Sequence, residues 1–210
     1  MGMSLLEKCP SLAKMYETSV ATSISGEHIQ VHSNIPLHDA NLLYEVASSA
    51  GSKRAIEVGM AFGASTLSIL SASDSITLDS VDPHQTTQWH GCGLEAVRSM
   101  GYDSRHLLWE DYDYSILPHF VHVDKFDFAF IDGWHTFDHA FLDWWYIDKM
   151  LTVNGIVGFD DCYMPAVEKA IHFMESHRKY QEVYAGRSVR TRYFQKMSEY
   201  TPAWDFFANF

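Results

Sequence analysis

The stretch FDFAFIDGWHTFDH, Phe126 to His139, together with GIVGFDDC, Gly155 to Cys162, decides the fold. Each is a hydrophobic run that breaks at carboxylates, Asp132 in the first and the adjacent Asp160 and Asp161 in the second. Short apolar runs bounded by turn residues are the pattern of buried strands in a parallel sheet. Residues just past such strands project into the crevice where α/β folds bind ligands. Three carboxylates and His135 delivered to one sheet edge would make a site for a hard metal ion.

The same alternation extends to both sides. Ala55 to Val58, Ile76 to Val81 and His106 to Trp109 are further short strands. Thr66 to Ala72, Gly93 to Met100 and Thr136 to Met150 carry helical apolar spacing, and Pro165 opens a helix to about His177. Tyr180 to Tyr184 and Arg190 to Lys196 predict two final strands joined through Gly186. Strands alternating with helices predict a doubly wound, Rossmann-like α/β sheet. Ahead of it, Thr22 to Asn34 reads as loop, and Pro36 opens a helix from Leu37 to roughly Ser49. Without repeats or linkers, residues 1–210 are expected to form one domain. Its parts are a helical cap or lid (1–50), a cofactor-binding core (51–197) and an aromatic tail (198–210). The tail is expected to dock on the body or on a partner subunit, as in a homo-oligomer.

Composition narrows the partners. The net charge is -12 with no Lys/Arg-rich run, which argues against nucleic acid or an anionic membrane surface. No apolar run approaches a membrane span, and no secretory h-region stands at the N-terminus. Cys9, Cys92 and Cys162 are too scattered for a disulfide framework or a CxxC pair, so a reducing cytoplasm is expected.

The strand ending at Val58 runs into EVGMAFGAST, Glu57 to Thr66. Glycines at a strand-to-helix turn let a ligand approach the backbone, beside the free N–H groups of the helix start. The spacing is GxxxG rather than the GxGxxG of dinucleotide dehydrogenases, and Glu57 would repel phosphate. An acid there suits a ligand with an ammonium or sulfonium charge. Asp82 closes the next strand, where a carboxylate can hydrogen-bond a ribose diol.

ExGxxxGxST followed by SVDP resembles motifs I and II of class I S-adenosylmethionine-dependent methyltransferases. The run from Asp132 through Asp161 resembles the metal-dependent small-molecule O-methyltransferases, those of catechols and of antibiotic sugars and cephalosporin-type hydroxyls. The likeness spans about Pro36 to Lys196. It implies a seven-stranded, mostly parallel sheet with an antiparallel last strand. It further implies that Glu57, Gly59, Met60, Gly63 and Ser65 line the methionine part of the cofactor, that Asp82 binds the ribose, and that Asp111 contacts the adenine. Asp132, Asp160 and Asp161 would hold Mg²⁺ and, with Asp132 also facing the cofactor, a hydroxylated small-molecule acceptor. His135 would take the hydroxyl proton. Catechol enzymes carry lysine at that position and Asp-Asn where this chain has Asp160-Asp161, which favours the antibiotic-sugar side.

Plainer readings exist for the same residues. Asp132 would cap a turn with Gly133, and Asp160 and Asp161 would favour the dipole of the following helix. His135 and His139 have the i, i+4 spacing of a Zn²⁺ pair but lack further ligands. His84, Gln85, Trp89 and His90 could wall the cofactor or acceptor, as could His32, Ser33, Asn34 or His38 from the lid. A metal-independent methyltransferase, a nicotinamide-dependent oxidoreductase and a non-catalytic adenosyl-binding module are the competing functions. Against the oxidoreductase stand the missing GxGxxG and the missing Tyr-x-x-x-Lys pair.

Overall fold

The apolar runs become strands because each residue has a face to fill on both sides of the sheet. In a computed structural model, which describes residues 3–121 and 125–210, the main sheet is built from β3 (Arg54–Val58), β4 (Thr77–Val81), β5 (His106–Trp109), β6 (Phe126–Ile131), β7 (Leu151–Phe159), β8 (Tyr180–Val183) and β9 (Arg192–Lys196). Their order is β5-β4-β3-β6-β7-β9-β8. The first five run parallel to their neighbours, and β9, last in the chain, is antiparallel to both β7 and β8. This is the Rossmann-like sheet with an antiparallel last strand that the sequence predicts.

Period-2 alternation divides the side chains between two cores. Ala55, Phe128 and Phe130 face one, and Ile56, Val58, Ala129 and Ile131 the other. The first core is closed by α1 (Leu5–Lys8), α2 (Pro10–Thr18), α3 (Leu37–Ser49), α4 (Ala64–Ala72) and α5 (Cys92–Ser99). The second is closed by α6 (Asp113–Phe120), α7 (Phe137–Met150) and α8 (Pro165–His177). Every residue of α4 is buried, which explains why that segment carries only small hydroxylic and apolar side chains and no charged face.

The strands that matter for function end at one level. In the ladder Val81 pairs with Trp109 and Val58, Val58 with Ile131, and Ile131 with Phe159. The residue after each strand then hooks its N–H onto the last carbonyl next door: Asp82 to Trp109 (3.1 Å), Gly59 to Val81 (2.9 Å), Asp132 to Val58 (2.9 Å) and Asp160 to Ile131 (2.9 Å). The carboxylates that follow the apolar runs therefore stand in a row along one edge.

The structure departs from the sequence reading in three places. Thr22 to Asn34 is not all loop: β1 (Val20–Thr22) and β2 (His28–Gln30) form a hairpin whose turn holds Gly26 at φ 87°. Its strands are too short to show a period, and Ala21 alone is buried in the first. Helix α6 was not expected, because Pro118 inside it masks the spacing of Leu117 and Phe120. Strand β7 starts at Leu151, ahead of the expected Gly155, where the pairing with β6 shifts register. The aromatic tail folds back over α8, with Phe206, Phe207 and Phe210 ringing His177 at 5.4, 6.1 and 5.9 Å and Lys169 donating to the Phe210 carbonyl.

Gly59 is fixed by contact as well as by its φ of 88°: a Cβ there would lie 2.1 Å from the Asp132 carbonyl oxygen. Gly59→Ala is expected to cost about 3 kcal/mol or more in urea unfolding, the sum of a left-handed alanine and a displaced strand end. A loss below about 1 kcal/mol would show that the two strand ends are not in contact.

Candidate active site

A cavity of about 500 Å³ opens above this row of strand ends, within the roughly 300–1,000 Å³ range of small-molecule sites. Its floor comes from the turns after β3, β4 and β6, its walls from the start of α6, the residues after β7 and the lid residues Ser33 and Asn34. His84 and Trp89 also line it, whereas His38 turns away to the Arg187 carbonyl at 2.8 Å.

Asp82 ties two of these turns together. Its Oδ2 accepts the Met60 and Ala61 N–H groups (3.0 and 2.8 Å), and its Oδ1 accepts the His84 N–H (2.8 Å). Gln85 reinforces the tie by donating to the Ala61 carbonyl at 2.8 Å. A carboxylate has about four lone-pair positions, so Oδ1 retains capacity for a ligand hydroxyl. Gly59, Met60, Ser65 and Asp82 all line the cavity.

Glu57, Gly63 and Asp111 take other places than the resemblance implies. Glu57 lies on the side of β3 that faces α4, fully buried, with Oε1 accepting from Thr66 at 2.5 Å and Ser80 at 2.6 Å. Strand alternation points it into the first core, while Val58 and Gly59 after it reach the cavity. Burial pushes its carboxyl up to about 7 against the pull of the Ser80 and Thr66 hydroxyls. Gly63 sits behind the cavity as the residue before α4, packed on Gly93. Asp111 is exposed and outside the lining, and the chain brings Tyr112 and Asp113 to the cavity instead.

The acidic cluster is assembled from two strand ends. His135 Nε2 lies 2.9 Å from Asp161 Oδ2 and 3.6 Å from Asp132 Oδ1. One ligand atom each from Asp132, His135 and Asp161 falls within 4.8 Å of the others, a donor set of two carboxylates and one imidazole that fits a divalent cation. Asp160 does not join it. Both of its oxygens are taken by Arg190, at 3.0 Å from Nε and 2.7 Å from Nη2, and Arg190 Nη1 lies 3.0 Å from Asp161 Oδ1. Asp161 adopts φ 50°, and the two consecutive carboxyls share Arg190 while only Asp161 also reaches His135. The Asp132 carboxylate and then that of Asp161 lift His135 up to about 10. Burial and then the Asp160 charge raise Asp132 to about 8, against His135. Burial pushes Asp161 up, but His135, Tyr163 and Arg190 outweigh it and hold it below the usual carboxylate range.

A second group was not anticipated. Asp113 Oδ2 lies 2.7 Å from His139 Nδ1, and both residues line the cavity. Behind them Asp143 is fully buried, and burial, then the nearby Asp113 charge, push its carboxyl well above the ordinary value. Arg190 was missed too. No sequence spacing connects Arg190 to Asp160 thirty residues earlier, although an arginine between turn residues and a strand was a weak signal.

A family profile described as a methyltransferase domain matches residues 56–162, just over half of the chain. The chain belongs to the methyltransferase-domain family. No curated protein matches it in sequence. Solved structures share the fold of this methyltransferase. They include cofactor-bound Rv0187 from MTB (12% identity, 92% of this chain and 91% of that one, TM-score 0.69). The O-methyltransferase from Bacillus cereus in complex with SAH matches at 12% identity, 91% and 90% coverage and a TM-score of 0.64. The O-methyltransferase TomG of tomaymycin synthesis from Streptomyces achromogenes, in complex with SAM, matches at 13% identity, 94% and 92% coverage and a TM-score of 0.64. The matched segment begins inside β3 and ends just past β7, so it contains Asp82, Asp132, Asp160 and Asp161.

Glu57 yields a prediction about stability. Because its folded pKa is raised, its contribution is present below about 4.5 and is lost as pH rises through about 7. The full difference is on the order of 3 kcal/mol. Glu57→Gln should remove that dependence, so the melting temperature of the variant relative to the parent rises between pH 5 and 7.5 and then levels. A constant offset across this range would show that Glu57 is already ionised.

Proposed function

We propose that this methyltransferase transfers the methyl group of S-adenosylmethionine to a hydroxyl of a small molecule, with Mg²⁺ or a similar divalent cation at the acidic cluster. One observation carries the reading: a single cavity is bounded at one side by the Asp82-tied glycine turn and at the other by Asp132, His135 and Asp161. A sulfonium donor and a hydroxyl acceptor need two such unlike ends, brought close enough for in-line displacement. The SAH- and SAM-complexed O-methyltransferases of the same fold support the choice of donor and of acceptor atom.

Asp82 would take the ribose hydroxyls, and the backbone of Gly59 to Ala61 would face the methionine part. The aromatic side chain of Tyr112 and the Asp113–His139 pair would border the adenine, since Tyr112 and Asp113 follow the end of β5 and His139 meets Asp113 from α7. Asp132 and Asp161 would hold the cation, which supplies Lewis acidity toward the acceptor hydroxyl, with His135 Nε2 beside them. Asp132 and then Asp161 raise His135 to about 10, and an imidazole in its charged form cannot accept a proton. Neutralising Asp132 and Asp161 would return its pKa toward the ordinary range of about 6.5 and free it to act as the base.

A second reading is favoured by a specific feature: Arg190 and His135 already balance much of the carboxylate charge. In that case transfer is metal-independent and the acidic cluster orients the acceptor directly.

Calorimetry with S-adenosylmethionine and S-adenosylhomocysteine, with and without Mg²⁺, is expected to show binding of both; binding of neither would end the reading. His135→Ala should lower the rate of transfer to a hydroxylated acceptor by about 100-fold or more, the scale of a lost general base, with cofactor affinity little changed. Full activity in EDTA, with no gain on adding Mg²⁺, would select the metal-independent form.

A further inference from the structure

Arg190 reaches the acidic edge from outside the five strands that create it. It stands just before β9, on a segment that is pinned on both sides. The Ser188 hydroxyl accepts the N–H groups of Arg190 and Thr191 (2.9 and 3.0 Å), Cys162 donates to the Arg190 carbonyl (2.8 Å), and Thr191 donates to Asp39 on α3 (2.9 Å). Arg187 adds an ion pair to Glu45 on the same helix at 2.9 Å. The guanidinium is thus built into position rather than swept in from solvent, and it is three-quarters buried, its side chain 27% exposed.

Its contacts are those a bound cation would seek. Nε and Nη2 occupy both oxygens of Asp160, and Nη1 faces Asp161 Oδ1, while the other oxygen of Asp161 faces His135. Three carboxylates so close together repel one another unless compensated. A guanidinium carries its charge at any accessible pH and matches a carboxylate with two parallel bonds. Asp160 is thereby withdrawn from the oxygen-rich set that would suit Mg²⁺, and a mixed set with His135 is left.

We propose that Arg190 is a resident cation that competes with a divalent ion for Asp160 and Asp161 and so sets how weakly this site binds it. The inference rests on the divalent-ion reading of the acidic cluster and concerns a positioning residue rather than one that touches reactants. Removing the guanidinium both frees a third carboxylate and lifts a fixed positive charge from beside the ion. Lysine in its place restores the charge but not the two-bond grip.

The test is Mn²⁺ binding to the full-length protein, read by electron paramagnetic resonance of free Mn²⁺ in the absence of any substrate. Arg190→Gln is expected to bind Mn²⁺ at least tenfold more tightly than the parent, and Arg190→Lys to lie between the two. Equal or weaker binding by Arg190→Gln, with the parent binding normally, overturns the role of Arg190 and leaves the ion site standing. No Mn²⁺ binding by either protein overturns both. Should Arg190→Gln not fold, the parent gives a second readout: the ¹⁵N-Hε signal of Arg190 is expected to shift as Mg²⁺ saturates, and an unmoved signal at saturation overturns the proposal.

Discussion

Everything at the functional edge depends on the shared end-point of five parallel strands. Hydrogen bonds pair Trp109, Val81, Val58, Ile131 and Phe159 across the sheet, so the chain leaves each strand at the same height. Parallel ladders fix this level strongly, because a slip of one residue would turn each buried side chain to the wrong face. The N–H groups of Asp82, Asp132 and Asp160 then extend the ladder by one more bond each. Without that alignment the aspartates would be separate turn residues; with it they border one cavity.

Crowding acids along one edge is costly, and the structure balances it in two ways. Some carboxylates are dealt with internally: Asp82 gathers backbone N–H groups from two turns, and burial pushes the Asp143 carboxyl well up from its ordinary value. Others are matched by cations, Arg190 against Asp160 and Asp161, and His135 against Asp161 and Asp132. The central acid, Asp161, touches both cations with different oxygens. The same charge balance also raises His135 from its ordinary value, through Asp132 and then Asp161.

The parts of the fold that were legible before any coordinates share one trait: their signal is local and repeated. Five apolar runs with abrupt polar ends identified the strands, and the run Thr66 to Ala72 identified a helix. The hairpin at Val20 to Gln30 and helix α6 were illegible because a three-residue strand has no period and Pro118 reads as a breaker. At the site, the positions of Gly59, Asp82, Asp132 and Asp161 followed from their place after a strand. Glu57 did not, because one step along a strand reverses the side a residue faces, and its partner Thr66 lies on the next helix.

By itself the sequence determined the architecture and the row of acids, since both follow from where hydrophobic runs stop. It also carried the family, through residues 56–162. Only the tertiary structure decided which acids remain available. Asp160 and Asp161 are neighbours of the same type, yet one has both oxygens on Arg190 and the other divides its oxygens between Arg190 and His135. That division depends on a backbone angle at Asp161 and on an arginine brought from a distant segment by β9. Charge partners meet through packing across the fold, and no spacing along the chain encodes such a meeting.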